Sequence, residues 1–579
     1  MTTNPKVSET EYDVIVVGTG GAGCMAALRA SEFGFKVLML EKGAQFGGTS
    51  ITSGGVIWIP DHGFGTEGEK PDSEEEAMLY LKSVCDPRAR EEKLTAFLRH
   101  GKDMIKYVHQ MGIKFHYMPW PDYFSEYPGA RADRSIVFPL YDGRKLGKWL
   151  HLMRAPFTRY KMFNRYSMDF EEANTISTQS PGWIKAFAKV VSRYWLDVGT
   201  RRQTRRDAVM ALGGALIAPF AEKLIERGVD IRLDHDVKKF VVEDGKVVGV
   251  ESGWFGARTT YRARHGVITC SGGFDWNQKL REKFLRHPGD LKLPSSPQYM
   301  NTGALLEAGM DIGAATEFTE TAWMTPIMTL PIPGTANHFE NHHATFDVGR
   351  PYSVCVNRNG DRFTNESQGY DRFGNAMLQD AEKTGANPPC WLVFDAVFRH
   401  QFTAGGIMPS QIQPDRAIPP EWWDHYIWKA DTVTELAVKI GLEPAKLERV
   451  VANMNEYART GKDPEFGRGD SPYDRNFGDP KCAPNPNLGP IRKAPFYAIP
   501  VNLGELGTKG GLKTDPNGQV VDTNDRPIPG LYAAGNASGS PFGNCYPGAG
   551  GTIGPGMAFG YAAANHIAEQ ARINRPVSA

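Results

Sequence analysis

The chain has 579 residues, with 66 basic and 66 acidic side chains and no formal net charge. That balance excludes bulk nucleic-acid binding as the main role, and the length exceeds one simple core, so two or three domains are expected. The 7 cysteines are scattered without a close metal-binding or redox pair, no apolar run reaches the length of a membrane span, and "MTTNPKVSETEYD" lacks the marks of a secretion signal; a cytoplasmic protein is expected, at most peripheral on the inner face of the membrane.

The first predicted elements lie in "YDVIVVGTGGAGCMAALRASEFGFKVLMLEKG", residues 12–43. Val14–Val17 reads as a buried strand, Ala22–Phe33 as a helix, and Phe35–Leu40 as a second strand ending at Glu41. Gly18, Gly20 and Gly23 form G-x-G-x-x-G between strand and helix, and the acid follows about twenty residues on, as a dinucleotide fingerprint requires. Gly18 makes the turn, Gly20 with Gly21 and Ala22 brings a pyrophosphate to the helix N-terminus, and Gly23 lets helix and strand pack. Glu41 can accept from both ribose hydroxyls, and Lys42 beside it joins the cofactor set.

A nicotinamide-binding domain would continue with another ordinary helix. Here "GAQFGGTSITSGGVIW" (43–58) places a second loop of small residues, Gly47-Gly48-Thr49-Ser50, and then Ser53-Gly54-Gly55. This resembles the flavoprotein family of fumarate reductase and succinate dehydrogenase. The resemblance implies that Gly48, Thr49, Ser50, Ser53, Gly54 and Gly55 run along the pyrophosphate and ribityl chain of FAD. It also implies noncovalent FAD, because no histidine or cysteine lies in 43–58, where the related respiratory enzymes attach their flavin.

Residues 131–205 form an insert longer than that fold needs. Within it, "GWIKAFAKVVSRYWLDVGTRRQTRR" sets apolar residues at helical spacing beside Lys185, Lys189 and Arg193. It reads either as an ordinary helix against the core or as an amphipathic basic surface for an anionic membrane. Residues 229–273 read as a β-meander and a further strand ending in glycines, which brings Val237 and Gly272 to the cofactor. "NHFENHHATF" (337–346) holds His338, His342 and His343 without an acid or cysteine at ligand spacing, so a loop of the substrate domain is expected and no metal. In "NRNGDRFTNESQGYDRF" (357–373), Asn359-Gly360 reads as a hairpin turn followed by a strand. Residues 432–460 read as helices without evident chemistry.

Toward the C-terminus, "GLYAAGNASG" (530–539) resembles the second FAD segment of the family, with Gly535-Asn536 beside the flavin. The expected fold is α/β and α+β: a Rossmann-like FAD-binding domain (parallel sheet plus β-meander) built from 1–295 and 491–579, with a substrate and catalytic domain, 296–490, inserted. Fumarate and succinate enzymes carry an arginine just before the last glycines; here that place reads Cys545-Tyr546-Pro547. They also carry a histidine before Gly-Gly-Leu, where this chain has Thr508-Lys509. The equipment for a dicarboxylate is missing.

What replaces it resembles the 3-ketosteroid dehydrogenases, a branch of the same family. The resemblance runs through "FGGTSITSGGVIWIP", "TRRDAVMALGGALI", "DRFTNESQGYDRF", "LGPIRKAPFYAI", "GTKGGLKTD" and "NCYPGAGGTIGPGMAFGYAAANHI". It implies that Tyr546 and the N–H of Gly550 clamp the substrate ketone as an oxyanion hole does, and that Gly551, Thr552 and Ile553 offer N–H groups to the flavin. It implies that Tyr370, following Asn365-Glu366-Ser367, takes the α-proton, aided by an aromatic from "WPDYFSEYPGA" (120–130). There the family position falls on Phe124, flanked by Tyr123 and Tyr127; Tyr123 is the candidate, with the choice left open. The implied activity is FAD-dependent 1,2-dehydrogenation of ring A, with the β-hydrogen leaving as hydride to the flavin and a quinone or soluble carrier reoxidising it. Desaturation at carbons 4 and 5, or of another cyclic ketone, is the alternative. A flavin electron-transfer component without its own substrate is a third reading, which matches at both Tyr370 and Tyr546 oppose.

Overall fold

The apolar run near the start of the chain forms strand β1 (Thr10–Val17), followed by helix α1 (Gly21–Glu32) and strand β2 (Val37–Leu40). The computed structural model describes residues 10–573 apart from 65–70, 157–160, 164, 178–180, 255–256, 288, 290–299 and 333–338. Alternate side chains of β1 enter opposite cores: Val14 and Val16 pack on one face of the sheet, Ile15 and Val17 on the other. Both faces are therefore covered there, which explains the unbroken apolar run Val14–Val17. Gly23 answers a packing demand, since a Cβ there would stand 2.0 Å from the Gly18 carbonyl oxygen.

Helix α2 (Gly213–Glu226) leads into β3 (Asp230–Arg232), and β4 (Asp236–Glu243), β5 (Lys246–Trp254) and β6 (Ala257–Thr269) form the meander expected from the sequence. A second sheet begins with β7 (Ala322–Pro331), β8 (Phe339–His343) and β9 (Ser353–Val356). After helix α3 (Tyr370–Thr384), β10 (Cys390–Phe394) and β11 (Phe496–Thr508) complete it in the order β8-β7-β11-β10-β9, with Trp428–Ala430 also paired to β11. The chain then returns through β12 (Gln519–Val521) and β13 (Pro527–Ala533) and ends in helix α4 (Ile553–Ile573). The first sheet has the order β12-β13-β6-β1-β2-β3, parallel from β13 to β3.

Three expectations change. Strand β11 belongs to the second sheet, so the chain rejoins the first sheet at Gln519 and not at 491; the boundary expected at 295–296 falls outside the described residues. The turn at Asn359-Gly360 forms, with Gly360 at φ +81°, but no strand returns from it. Instead Arg362 and Glu366 turn inward, where Arg362 meets Glu366 at 2.9 Å and Asp463 at 2.8 Å while Glu366 also faces Arg468. Those side chains replace a strand ladder as the local source of order. The second strand begins at Val37, two residues later than expected from the sequence.

In the insert, the helix Trp183–Leu196 forms; Arg193 and Lys189 both pair with Glu172, while Lys185 and Lys189 remain exposed. Apolar side chains face outward beside these lysines, with Ile184 66 % and Leu196 78 % exposed. On β8, His342 is bonded to the Asp347 carboxylate at 2.9 Å, and among the described residues no cluster of three or more His, Cys, Asp or Glu is placed to hold a metal ion. His338 lies outside the described residues. Among the described residues no helix is long and apolar enough to cross a membrane.

Candidate active site

The parallel strands of the first sheet end along one edge, and the loops after β1, β2, β6 and β13 open there into a cavity of about 1170 Å³. All the residues expected to hold the cofactor line it except Gly23 and Gly551. Gly23 packs on the side of α1 turned to Gly18, and Gly551 is turned toward the Tyr546 ring, where a Cβ would stand 3.1 Å away, with its N–H taken by the Gly548 carbonyl at 3.0 Å. Neither can touch a ligand through a side chain.

The donor set fits FAD. Helix α1 starts at Gly20 with no side-chain cap, so the first-turn N–H groups that lack intrahelical partners face the cavity, as an anion requires. Only Gly21 has its N–H taken, by the Ser50 hydroxyl at 3.0 Å. Glu41 is oriented rather than free: one carboxylate oxygen accepts from the Thr19 N–H (3.1 Å) and hydroxyl (2.6 Å), the other from the Gly43 N–H (2.9 Å). Its remaining lone pairs face the cavity, in reach of a ribose. Lys42 reaches the Thr302 hydroxyl at 3.1 Å and Asp236 at 3.8 Å.

At the other end of the cavity three tyrosines converge. The rings of Tyr123, Tyr370 and Tyr546 stand 5.2–5.3 Å apart, each pair edge to face. The open choice among the aromatics of 120–130 is thereby narrowed by placement. Tyr123 is buried among these rings, whereas Tyr127 is exposed and Phe124 turns away under the Arg372 guanidinium at 4.5 Å.

Each tyrosine is held by its neighbours in the chain. The Pro547 carbonyl accepts from the Tyr123 N–H at 2.9 Å and from the Tyr80 hydroxyl at 2.5 Å, which pins 120–124 against the loop of Tyr546. Asp122 accepts from the Trp58 indole (2.8 Å) and from buried Arg134 (2.9 Å), fixing the same segment from behind. Tyr370 opens α3, and the next residue, Asp371, meets the buried Lys509 ammonium through both oxygens at 2.9 Å. Gly550 sits at φ +96° against Ile57, where a Cβ would stand 2.6 Å from that backbone, and its backbone favours the Tyr546 phenolate, against the rise that burial imposes.

The electrostatics differ from the simplest expectation. A proton-accepting tyrosine needs a neighbour that favours its phenolate, yet burial pushes Tyr370 well above the ordinary tyrosine range and Tyr123 and Tyr546 raise it further. Hydrogen bonding to Tyr370 acts in the opposite direction on Tyr123 and Tyr546, opposing the rise that burial imposes on both. The nearest ammonium, Lys509, is already neutralised by Asp371. Tyr370 thus holds its proton firmly, with both neighbouring phenols adding to the effect of burial.

Two site residues were not singled out from the sequence. Trp323 on β7 lies 4.8 Å from the Tyr546 ring and donates its indole N–H to the Asn536 side chain at 3.2 Å, linking the tyrosine cluster to the cofactor end. Tyr473 lies 5.0 Å from Tyr123 and extends the aromatic wall. Neither sits in a motif; only Asp371, next to Tyr370, and Lys509, in "GTKGGL", had a local signal.

Replacing Glu41 by Gln or Ala should weaken FAD retention by roughly 10- to 100-fold, the range for loss of a charged hydrogen-bond acceptor. The ratio of FAD to protein after gel filtration reads this directly. Affinity unchanged in both variants would remove Glu41 from the ribose site, and flavin that stays with acid-precipitated wild-type protein would contradict noncovalent attachment.

Residues 13–553 match the family model described as an FAD binding domain. The 3-oxosteroid 1-dehydrogenase of Mycolicibacterium smegmatis is 37 % identical over 98 % of this chain and 98 % of its own. The 4-oxocyclohexanecarboxylate 2-dehydrogenase of Sinomonas cyclohexanicum is 32 % identical, covering 97 % of this chain and 93 % of its own. In structure, the chain is similar to 3-ketosteroid delta1-dehydrogenase from Sterolibacterium denitrificans, solved with 1,4-androstadiene-3,17-dione, with a TM-score of 0.91 and 38 % identity over 97 % of this chain and 100 % of the other. The chain belongs to the FAD-binding flavoprotein family that contains the 3-oxosteroid 1-dehydrogenases.

Proposed function

We propose that this chain is an FAD-dependent 3-ketosteroid dehydrogenase that introduces the double bond between carbons 1 and 2 of ring A. The observation that carries this reading is the convergence of Tyr123, Tyr370, Tyr546 and the Gly550 N–H on one end of the cavity whose other lining fits FAD. The named activities of the relatives from Mycolicibacterium smegmatis and Sterolibacterium denitrificans support it.

When bound, FAD supplies the acceptor for the hydrogen and electron pair lost from the β-carbon. The protein's own part is enolisation. The Tyr546 hydroxyl donates to a ketone oxygen and stabilises the charge that develops there, and the Gly550 N–H beside it turns from the Tyr546 oxygen to the ketone as the second donor when substrate enters. Tyr370 takes the α-proton as its phenolate, its own proton having first been lost to solvent, and Tyr123 holds the Tyr370 ring in place. Because Tyr370 starts protonated, its active form grows as pH rises.

Tyr370→Phe should bind substrate with little change in KM and lose kcat by about 10² or more, the usual contribution of a positioned base. Tyr546→Phe should lower kcat by about 10² to 10³, as for one oxyanion donor. In wild-type enzyme kcat/KM should climb between pH 7 and 10 without a plateau, since a phenol raised above its ordinary range ionises only at the alkaline end. More than roughly a tenth of wild-type kcat in Tyr370→Phe, or a flat profile across that range, would remove Tyr370 from the role of base.

A second reading, dehydrogenation of a smaller cyclic ketone, is supported by the Sinomonas cyclohexanicum relative. Turnover of 3-keto-4-ene steroids and of 4-oxocyclohexanecarboxylate with an artificial electron acceptor distinguishes them, and NMR of the steroid product separates 1,2- from 4,5-desaturation.

We also propose peripheral contact with a membrane, which would bring a quinone acceptor within reach. It rests on exposed Ile184, Trp195, Leu196 and Val198 at and just beyond the helix Trp183–Leu196. Wild-type protein should float with anionic lipid vesicles, and Ile184→Ser/Leu196→Ser should reduce the bound fraction several-fold. Equal flotation of both proteins would discard this surface.

A further inference from the structure

The aromatic wall does not end at the ketone clamp. From Tyr546 it passes to Tyr123 at 5.2 Å, to Tyr473 at 5.0 Å and to Phe477 at 5.3 Å between ring centroids. Trp120 presents its edge to both of the last two, at 6.3 and 5.9 Å. Tyr546, Tyr123, Tyr473 and Trp120 line the cavity, with Phe477 behind them, and a wall of four rings follows a fused-ring skeleton better than a single ring.

Arg350 stands where this row ends. It donates through Nη1 to the Phe477 carbonyl and through Nε to the Phe346 carbonyl, both at 3.2 Å. It is enclosed by the fold yet keeps accessible surface, and it lines the same cavity as the tyrosines, together with Asn476, Thr345 and Thr403. Among the described residues no carboxylate forms an ion pair with it. The two acids that act on it, Asp347 and Asp479, do so through space, and Asp347 is committed to His342 at 2.9 Å and the Gly405 N–H at 3.0 Å. Its partners are two carbonyls and the Phe402 ring, 5.4 Å away, and a guanidinium withdrawn from water without a counter-ion is costly unless an anion completes its coordination. Its planar fork is suited to a carboxylate, and the neutral donors of Asn476 and the threonines stand beside it.

We infer that Arg350 is an anion-binding position at the far end of the substrate cavity, and that the preferred substrates are 3-keto fused-ring compounds bearing a carboxylate remote from the ketone. This rests on the ketosteroid reading above and adds its substrate class. The ketone end recognises a neutral oxygen through phenols and an N–H; the far end recognises charge.

The test compares a 3-keto-4-ene steroid carrying a carboxylate on its side chain at carbon 17 with the methyl ester of the same compound, on FAD-loaded enzyme. Wild type should favour the acid over the ester by roughly 10- to 100-fold in kcat/KM, the range expected of a charge-assisted pair shielded from water. Arg350→Gln should abolish that preference, and Arg350→Lys should restore part of it. Because Arg350 also braces two carbonyls, binding of acid and ester to wild type, read from the perturbed flavin absorbance, gives a measure that needs no variant. Equal kcat/KM and equal affinity for acid and ester in wild type overturn the anion site while leaving the ketosteroid reading intact. So does a preference that survives in Arg350→Gln. If neither compound is bound or desaturated, the ketosteroid reading itself falls, and the inference with it.

Discussion

Lys509 and Asp371 are both buried and meet through two contacts of 2.9 Å. The same ammonium donates to the Asn544 side chain at 3.1 Å and lies 5.0 Å from the Trp323 ring, while Asp371 accepts from the Met324 N–H at 2.8 Å. Four segments distant in sequence are joined there: the start of α3 with Tyr370, the residue after β11, strand β7 with Trp323, and the loop that carries Tyr546. Burial favours the neutral acid at Asp371, and the ammonium counters it. Breaking one partner of such a pair typically costs about 3–5 kcal/mol, because the other charge is left stranded. The geometry of the tyrosine cluster therefore depends on an interaction that touches no substrate.

The cofactor side is built on a different principle. The loops after β1, β2, β6 and β13 open at one edge because the strands are parallel, so pyrophosphate and ribose contacts follow from topology. The substrate side has no such common edge. Its parts come from 120–124, from α3, from β7 and from the loop before α4, and they are bound together by single polar atoms such as the Pro547 carbonyl. A cofactor cradle of main-chain groups tolerates variation in side chains; a cluster assembled from four segments does not.

That contrast explains what was legible in the sequence. The fingerprint around Gly18, Gly20 and Glu41 is local, so strand, turn, helix and acid could be read in order. Tyr370 and Tyr546 were legible because each sits in a dense motif. Tyr123 and Phe124 were not separable, since adjacent residues point apart and only the partners, Pro547 on one side and Arg372 on the other, decide which faces the cavity. The strand anticipated after Gly360 failed for a similar reason. Its turn signal was genuine, but the charges that follow answer to Asp463 and Arg468, about a hundred residues away. Arg350, Trp323 and Tyr473 carry no local signature, and their roles exist only once the chain is folded.

The placement of charge says the most about chemistry. Related enzymes that handle dicarboxylates need cations facing the substrate, and the sequence already lacks two of the residues that serve there. One cation does remain close to the tyrosines, but Lys509 is held by Asp371 and by Asn544, with no donor left for a substrate carboxylate. A charge fully paired inside the fold exerts little net field on its surroundings, so under the proposed mechanism the ketone end recognises substrate through phenols and a backbone N–H. Such a set stabilises charge that develops during enolisation and offers no strong attraction to charge already present in the ground state. It discriminates by transition state, and selection of substrate falls to the shape of the aromatic wall and to what stands beyond its far end.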